Sequence, residues 1–412
     1  MATQIRPRPA RIDDVRPRTV APQAPRSIRD SFRPDIEGLR AVAVLLVALC
    51  HAGVPGLAGG FIGVDVFYVI SGYLITSLLI RGIGTRSARG TLKNFYARRV
   101  RRLLPAATLV LVATVFASYH YLGFLRGDQI ARDGIWSGLF SANLHFALNG
   151  TNYLAAQEPP SPLQHFWSLA VEEQFYLVWP AALLLVAAVG KRFPLRVRLG
   201  AVLVTIFVAS LTWSIMQTGS NPTWAYFSPL TRAWELALGA LIVVCLPLLA
   251  SIPAAVGAAA SWLGLAGIIA SAFVINASTP FPGAAALAPV LATALVIMGG
   301  TIATRNGAQA VLGLRPLQWL GMLSYSFYLW HWPILIIAAQ HQGTQLSVAH
   351  NLVLLLVALA ISAATFFVLE HPVRSSRFLR RRELLTLALG CTLVAISLSA
   401  CYWTLAHHAG PF

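Results

Sequence analysis

Apolar stretches of roughly 18–24 residues, each long enough to cross a hydrocarbon layer about 30 Å thick, recur along the chain between short breaks rich in Gly, Pro or Arg. The pattern predicts helices over residues 36–56, 60–80, 103–122, 166–189, 199–217, 231–250, 257–275, 285–302, 318–337, 348–370 and 384–404. The breaks after the second, fourth, eighth and tenth stretches are the basic ones, and Lys and Arg are retained on the cytoplasmic side of a membrane. The predicted fold is therefore an all-α polytopic membrane protein of about 11 transmembrane helices, with the N-terminus cytoplasmic and the C-terminus extracytoplasmic.

Composition points the same way. Of 412 residues, 57% are hydrophobic and only 11% charged, which excludes an ordinary soluble domain. A formal charge of +17 would suit a nucleic-acid binder. All of the 31 Lys and Arg except Arg126, Arg132 and Arg232 fall, however, in the N-terminal arm, at the adjoining start of the first helix (Arg40) and in the breaks on that same side. Such asymmetry is a topology signal, with attraction to anionic inner-leaflet lipids as a second effect, and no aromatic-basic platform for nucleic acid accompanies it. Residues 1–31, rich in Arg and Pro, read as a disordered cytoplasmic arm without the apolar core of a cleavable signal. A membrane domain over 32–373 follows, then a basic cytoplasmic linker with an additional transmembrane helix over 374–412. Cys50, Cys245, Cys391 and Cys401 lack metal-ligand spacing and are expected as packing residues, so no metal is predicted.

Against this apolar background a few polar side chains stand inside helices, where they are costly and face protein or water rather than lipid. The first helix carries Glu37 and Arg40 near its start and His51 near its end, with about 16 Å of rise between Arg40 and His51. The second carries Asp65. Glu172 and Glu173 lie in the fourth, Arg232 and Glu235 at i,i+3 spacing in the sixth, and Tyr325 and His331 in the ninth. The segment NFYARRVRRLLPA sets Arg98, Arg99, Arg101 and Arg102 immediately before the third helix. On charge alone this cluster is a topology anchor. Several guanidinium forks also suit the phosphates of an acyl-CoA, and no Gly-rich phosphate loop offers an alternative. After the third helix, DGIWSGLFSANLHFALN reads as an interfacial or re-entrant helix; Asn143 and His145 within it, and Asn152, Tyr153 and Gln157 beyond it, suit contact with a sugar.

These residues sit in motifs that resemble the integral-membrane acyltransferase-3 family, whose members O-acylate glycans. Arg33, Asp35, Gly38, Leu39, Arg40 and His51, then GVDVFYVISGYLI over Gly63–Ile75, carry the first part of the resemblance. Arg99 and Arg102 match the family's Arg-x-x-Arg feature, with Arg98 and Arg101 as an overlapping pair. HFWSLAVEEQFYLVWP contributes Trp167, Ser168, Leu169, Glu172, Glu173, Gln174, Phe175 and Tyr176. Arg232, Glu235 and Gly239 follow, then Gly321, Ser324, Tyr325, Tyr328, Leu329, Trp330, His331 and Pro333, and finally Glu370, His371 and Pro372.

The resemblance implies a membrane-bound O-acyltransferase of the bacterial inner or plasma membrane. It would move an acyl group, acetyl being favoured, from cytoplasmic acyl-CoA to a hydroxyl of an extracytoplasmic or lipid-linked cell-envelope glycan. His51 is the expected general base, with Asp65 or Glu172 orienting it; transfer through an acyl-histidine is the alternative. Arg40, Arg98, Arg99, Arg101, Arg102 and Tyr325 are expected around the donor. Glu37, Glu173, Arg232, Glu235 and His331 are expected in a polar network that holds the acceptor or the bundle. Acetyl-CoA is the favoured co-substrate, the glycan and membrane lipids are the expected partners, and nucleic acid is not. Some family members use an added helix to carry an extracytoplasmic hydrolase-like domain, which makes such a domain a candidate partner. Lipid O-acylation, and transport of an acyl or glycan species without chemistry, are the competing readings; no internal duplication favours the transporter.

Overall fold

The computed structural model describes residues 33–83, 87–151, 159–190, 192–303 and 306–408. The arm predicted over 1–31, and Asn152, Tyr153 and Gln157, lie outside these residues. Among the described residues the regular structure is helical. It runs α1 Pro34–His51, α2 Gly63–Gly82, α3 Ala88–Leu122, α4 Phe124–Gly138, α5 Ala142–Leu148, α6 Phe166–Ala188, α7 Leu195–Ser220, α8 Pro222–Phe227 and α9 Pro229–Leu249. It continues with α10 Ala254–Val274, α11 Leu287–Ile302, α12 Gln309–Leu312, α13 Arg315–Gln342, α14 Val348–Thr365, α15 His371–Ser375, α16 Arg377–Arg381 and α17 Glu383–His408. A 3-10 turn, Gly60–Ile62, leads into α2, and a π-helical turn, Phe366–Glu370, joins α14 to α15.

Each predicted stretch coincides with a helix, and nine helices among the described residues are long and apolar enough to cross a membrane. The chain is a multi-pass membrane protein. The two further stretches are α1, of 18 residues, whose first half carries Asp35, Glu37 and Arg40, and α11, of 16 residues. The largest departure from the hydropathy pattern is α3, which starts at Ala88 rather than near residue 103 and runs for 35 residues. Its first turns are the Arg-rich segment, helical but charged and so invisible to a hydropathy window. Ser87 caps it, its Oγ accepting from the Gly90 N–H at 3.2 Å.

Helix α1 lies against α2 and α13, and α2 lies against α9. Pro34 in its first turn, with Asp35 and Glu37 beside it, suits the positive end of the helix dipole. Small residues set these contacts, as expected where lipid supplies no hydrophobic drive between helices. A methyl group built on Gly239 of α9 would sit 2.0 Å from the Val69 carbonyl oxygen of α2. One built on Gly72 of α2 would sit 1.9 Å from the Leu236 carbonyl oxygen of α9. The two backbones therefore touch without side chains between them.

This contact predicts the sign of a substitution that helix propensity alone would get wrong. Gly→Ala inside a helix gains up to about 1 kcal/mol of propensity, while overpacking a tight site costs about 1–3 kcal/mol or more. Gly239→Ala is expected to lower the unfolding midpoint of the detergent-solubilised protein. Gly219→Ala, where nothing lies within 4 Å, is expected to leave it unchanged or raise it. Equal midpoints for the two variants would remove the close-contact argument.

Candidate functional site

Helices α1, α2, α3, α6 and α13 line a cavity that is partly open to the outside, with about 700 Å³ of empty space when that opening is included. At one end it is lined by Arg40, Arg99 and Arg102. Arg40 is held by Glu37, 2.9 Å away, and donates to Ser324 Oγ at 2.8 Å. Arg99 is held by Glu173 at 2.9 Å and lies over the Tyr176 ring, 3.7 Å from its centroid. Arg102 makes no hydrogen bond or ion pair with any described residue; Arg40, Arg99 and Arg374 stand close enough to repel it, and Glu173 and Glu370 close enough to attract it. Two oriented guanidinium groups and a third without an acceptor among the described residues concentrate positive charge at this end of the cavity, and such forks suit phosphate oxygens.

The middle of the cavity is narrower in chemistry. Glu172 accepts a hydrogen bond from Ser71, and Tyr325 donates to the Leu103 carbonyl at 2.9 Å. At the far end two hydroxyls meet, Ser168 Oγ and Tyr328 Oη, 2.7 Å apart. Between Tyr176 at the arginine end and Ser168, α6 rises about 12 Å.

Directly behind Tyr328 lies a pair of histidines from the first and ninth predicted helices. His51 Nδ1 and His331 Nε2 are 3.0 Å apart, with the ring planes parallel to within 2° and the centroids 5.3 Å apart, so the rings meet edge to edge. His331 is fully buried, and its Nδ1 is 2.7 Å from the Tyr328 carbonyl and 3.1 Å from that of Phe327. A carbonyl only accepts, so the His331 proton sits on Nδ1 and its lone pair on Nε2. His51 must then donate from Nδ1, which leaves the His51 lone pair on Nε2. Trp332 packs against the His51 ring at 4.4 Å, and its indole N–H is tied to the Ser161 carbonyl.

The backbone of α13 contributes to this cluster. Pro333 has no N–H for the Leu329 carbonyl four residues back, and His165 Nε2 donates to that carbonyl at 3.1 Å. The His165 ring is 6.2 Å from that of His331. Among the described residues no group of three or more His, Cys, Asp or Glu is arranged to hold a metal ion.

The remaining expected residues fall into other places. Asp65 does not meet His51 as its orienting carboxylate: its Oδ1 is 2.8 Å from Arg232, which also reaches Glu235 at 3.1 Å, and all three side chains are at most 1% exposed. Glu172 is engaged with Ser71, so the residue that orients His51 through Nδ1 is His331, expected earlier only in the wider network. Glu37 and Glu173 serve the arginine end. Arg98 and Arg101 do not line the cavity: Arg98 is exposed, and Arg101 turns toward the Leu379 carbonyl at 3.4 Å and Thr386 at 3.5 Å. His145, expected near a sugar, is paired with Asp133 at 2.8 Å and stacked on Trp136; Asn143 is buried and donates to the Phe227 carbonyl at 3.2 Å.

Sequence reasoning gave no role to Ser71, His165, Ser168 or Tyr328. A signal existed for two of them. Ser168 precedes Glu172 by four residues and Tyr328 precedes His331 by three, so each shares a helical face with a residue already singled out.

Comparison with known proteins adds the following. The acyltransferase domain family, acyltransferase-3, matches residues 33–369. The putative peptidoglycan O-acetyltransferase YrhL of Bacillus subtilis is 32% identical over 361 residues, covering 84% of this chain and 56% of that protein. The peptidoglycan O-acetyltransferase OatA of Listeria monocytogenes is 32% identical over 362 residues, covering 84% and 57%. The O-acetyltransferase OatA of Staphylococcus aureus is 30% identical over 361 residues, covering 84% and 58%. The chain thus spans little more than half the length of these relatives. No solved structure matches it at the same stringency.

The Arg232 cluster makes a prediction independent of any reaction. Removing one partner of a buried ion pair costs about 3–5 kcal/mol, because the other charge is left uncompensated. Arg232→Met strands two carboxylates, whereas Asp65→Asn leaves Arg232 matched one-to-one with Glu235. Arg232→Met is therefore expected to lower the unfolding midpoint and the monodisperse yield in detergent far more than Asp65→Asn. Equal losses would show that the guanidinium is not the hub of the cluster.

Proposed function

The chain belongs to the acyltransferase domain family, and from that premise we propose that it transfers an acetyl group from cytoplasmic acetyl-CoA to a hydroxyl of a cell-wall glycan on the opposite side of the membrane. The single observation that carries the reading is the cavity itself, which has at one end a guanidinium, Arg102, with no hydrogen bond or ion pair among the described residues, and the His51–His331 pair behind the other. An anion transporter would share the first feature, and the match to the acyltransferase domain family over residues 33–369 is what favours acyl transfer over transport. The relatives named as peptidoglycan O-acetyltransferases favour a glycan over a lipid acceptor.

In this mechanism Arg102 and Arg99, with Arg40 beside them, take the phosphates of the donor, and the pantetheine arm follows the cavity past Glu172 and Tyr325. The thioester then lies at the Ser168–Tyr328 end. The acceptor hydroxyl approaches His51, whose Nε2 takes its proton as the oxygen attacks the thioester carbon. His331 holds the imidazole in that tautomer and shares the positive charge that forms on it. Collapse of the tetrahedral intermediate breaks the C–S bond, and His51 returns the proton to the departing thiolate. The ester and free CoA are the products.

Purified protein in nanodiscs, incubated with isotope-labelled acetyl-CoA and peptidoglycan fragments, is expected to yield labelled, esterified fragments by mass spectrometry. His51→Ala should lower turnover by about 10²–10⁴-fold while retaining binding of CoA. The Arg99→Ala/Arg102→Ala double variant should instead weaken CoA binding, each lost charge-assisted contact costing about 1.5–3 kcal/mol. Near-normal turnover of correctly inserted His51→Ala, or unchanged CoA affinity in the arginine variant, would refute the corresponding role.

The reading also needs the start of α1 and the arginine end to face the cytoplasm. In protein freed of its four cysteines, Ser278→Cys in the loop between α10 and α11 is expected to react with an impermeant maleimide on intact cells. Ser87→Cys at the start of α3 should react only after permeabilisation. Labelling of both from one side would overturn the orientation.

A further inference from the structure

Resting on the acyl-transfer reading, we propose that the paired hydroxyls of Ser168 and Tyr328 supply the donor that stabilises the oxyanion of the tetrahedral intermediate, Tyr328 as the catalytic residue whose O–H reaches the oxygen and Ser168 as the residue that positions it. They line the end of the cavity remote from the arginines. Each reaches the same acceptor, the His165 carbonyl, Ser168 Oγ at 3.3 Å and Tyr328 Oη at 3.2 Å, and they are 2.7 Å from each other. Two hydroxyl protons therefore serve this group. One satisfies the His165 carbonyl and the other bridges the two oxygens. The bridging O–H can turn from Ser168 to a newly charged oxygen in the cavity while the Ser168 proton keeps the buried carbonyl satisfied, so the donor stands beside the charge and only its proton has to reorient.

The surroundings raise the value of that donor. Both residues are 5% exposed, Phe67 packs edge-on against the Tyr328 ring at 6.5 Å, and Tyr68 donates to the Ser168 carbonyl at 3.3 Å. A hydrogen bond to a charged oxygen counts for more in such a poorly hydrated site than in water. Tyr328 also faces the other half of the chemistry. Its carbonyl accepts from His331 Nδ1 at 2.7 Å, the contact that leaves the His51 lone pair on Nε2. One residue thus presents its hydroxyl to the thioester oxygen and its main chain to the base pair, which keeps oxyanion donor and base in register.

The step balances without a further reactant. As the acceptor oxygen bonds to the thioester carbon, its proton goes to His51 Nε2 and the carbonyl π electrons move onto the carbonyl oxygen, which accepts the O–H. When that oxygen re-forms its double bond, the C–S bond breaks, the thiolate takes the proton from His51, and the hydroxyl returns to its bridging position.

The test reads the thioester carbonyl directly. Acetyl-CoA carrying ¹³C at the carbonyl is bound to the full chain in a His51→Ala background, where turnover is suppressed, and its C=O stretch is followed by infrared difference spectroscopy. The expected result is a shift to lower wavenumber than in water, diminished by Ser168→Ala and by Tyr328→Phe. With His51 present, those two variants are expected to lose about 10²–10³-fold in kcat with KM for acetyl-CoA within threefold, and Ser168→Thr, which keeps a hydroxyl, to recover most of the loss. An unshifted carbonyl, kcat within threefold of the parent for both variants, or a loss expressed in KM alone would overturn the oxyanion role while acyl transfer stands. Failure of the parent protein to bind acetyl-CoA or to form product would instead overturn the acyl-transfer reading, and this inference with it.

Discussion

An imidazole or guanidinium within a helical bundle in lipid has no bulk water to fall back on, so its partners must come from the protein or from what fills a cavity. That constraint organises the seam between α1 and α13. Arg40 meets Ser324 and His51 meets His331, so the same two helices hold both the arginine end and the base. Nearer the start of α1, Arg33 is bound by Asp35 at 2.6 Å and donates to Thr301 of α11 at 2.9 Å, which ties the same helix to a third element. The polar groups that make α1 a poor spanning helix by composition are the ones that fix its position. Its apolar face, with Leu39, Val44 and Val47 buried, completes the packing.

The helices were legible in the sequence because bilayer thickness imposes a single length on apolar runs, and a run of that length is hard to read otherwise. Helix α3 marks the limit of that logic. Its first turns are helical for local reasons, a Ser87 cap and strong helix formers, and no hydropathy scale rewards either. The arginines in those turns were ambiguous for the same reason. Arg98 with Arg101, and Arg99 with Arg102, are both i,i+3 pairs, and only the neighbours of α3 decide which pair faces the cavity and which faces away, Arg101 toward Leu379 and Thr386.

The site was legible residue by residue and not pair by pair. His51 stood out as an imidazole in a spanning helix, yet nothing local to it announces a partner 280 positions away on α13. A nearby carboxylate was the natural expectation by chemistry. The structure assigns the two candidates elsewhere because each had a stronger demand on it: Asp65 answers the fully buried Arg232, and Glu172 answers Ser71 inside the cavity. The base can then be held in one tautomer by a backbone carbonyl acting through His331.

Helix α17 lies beyond the part of the chain matched by the family, residues 33–369, yet it is tied to the same machinery through α3. Ser397 donates to Thr108 at 3.3 Å, Thr108 to the Leu393 carbonyl at 3.3 Å, and a methyl group on Gly390 would meet Val100 at 2.9 Å. These contacts lie on the side of α3 that also carries Arg101, while Arg99 and Arg102 occupy the face toward the cavity. A helix held on one side by hydrogen bonds and close small-residue packing has little freedom to rotate about its axis. A rotation of one residue position, about 100°, would exchange the cavity pair for the outer pair. The seam with α17 therefore helps to select which of two equivalent arginine pairs faces the cavity, a choice that the sequence of α3 by itself leaves open.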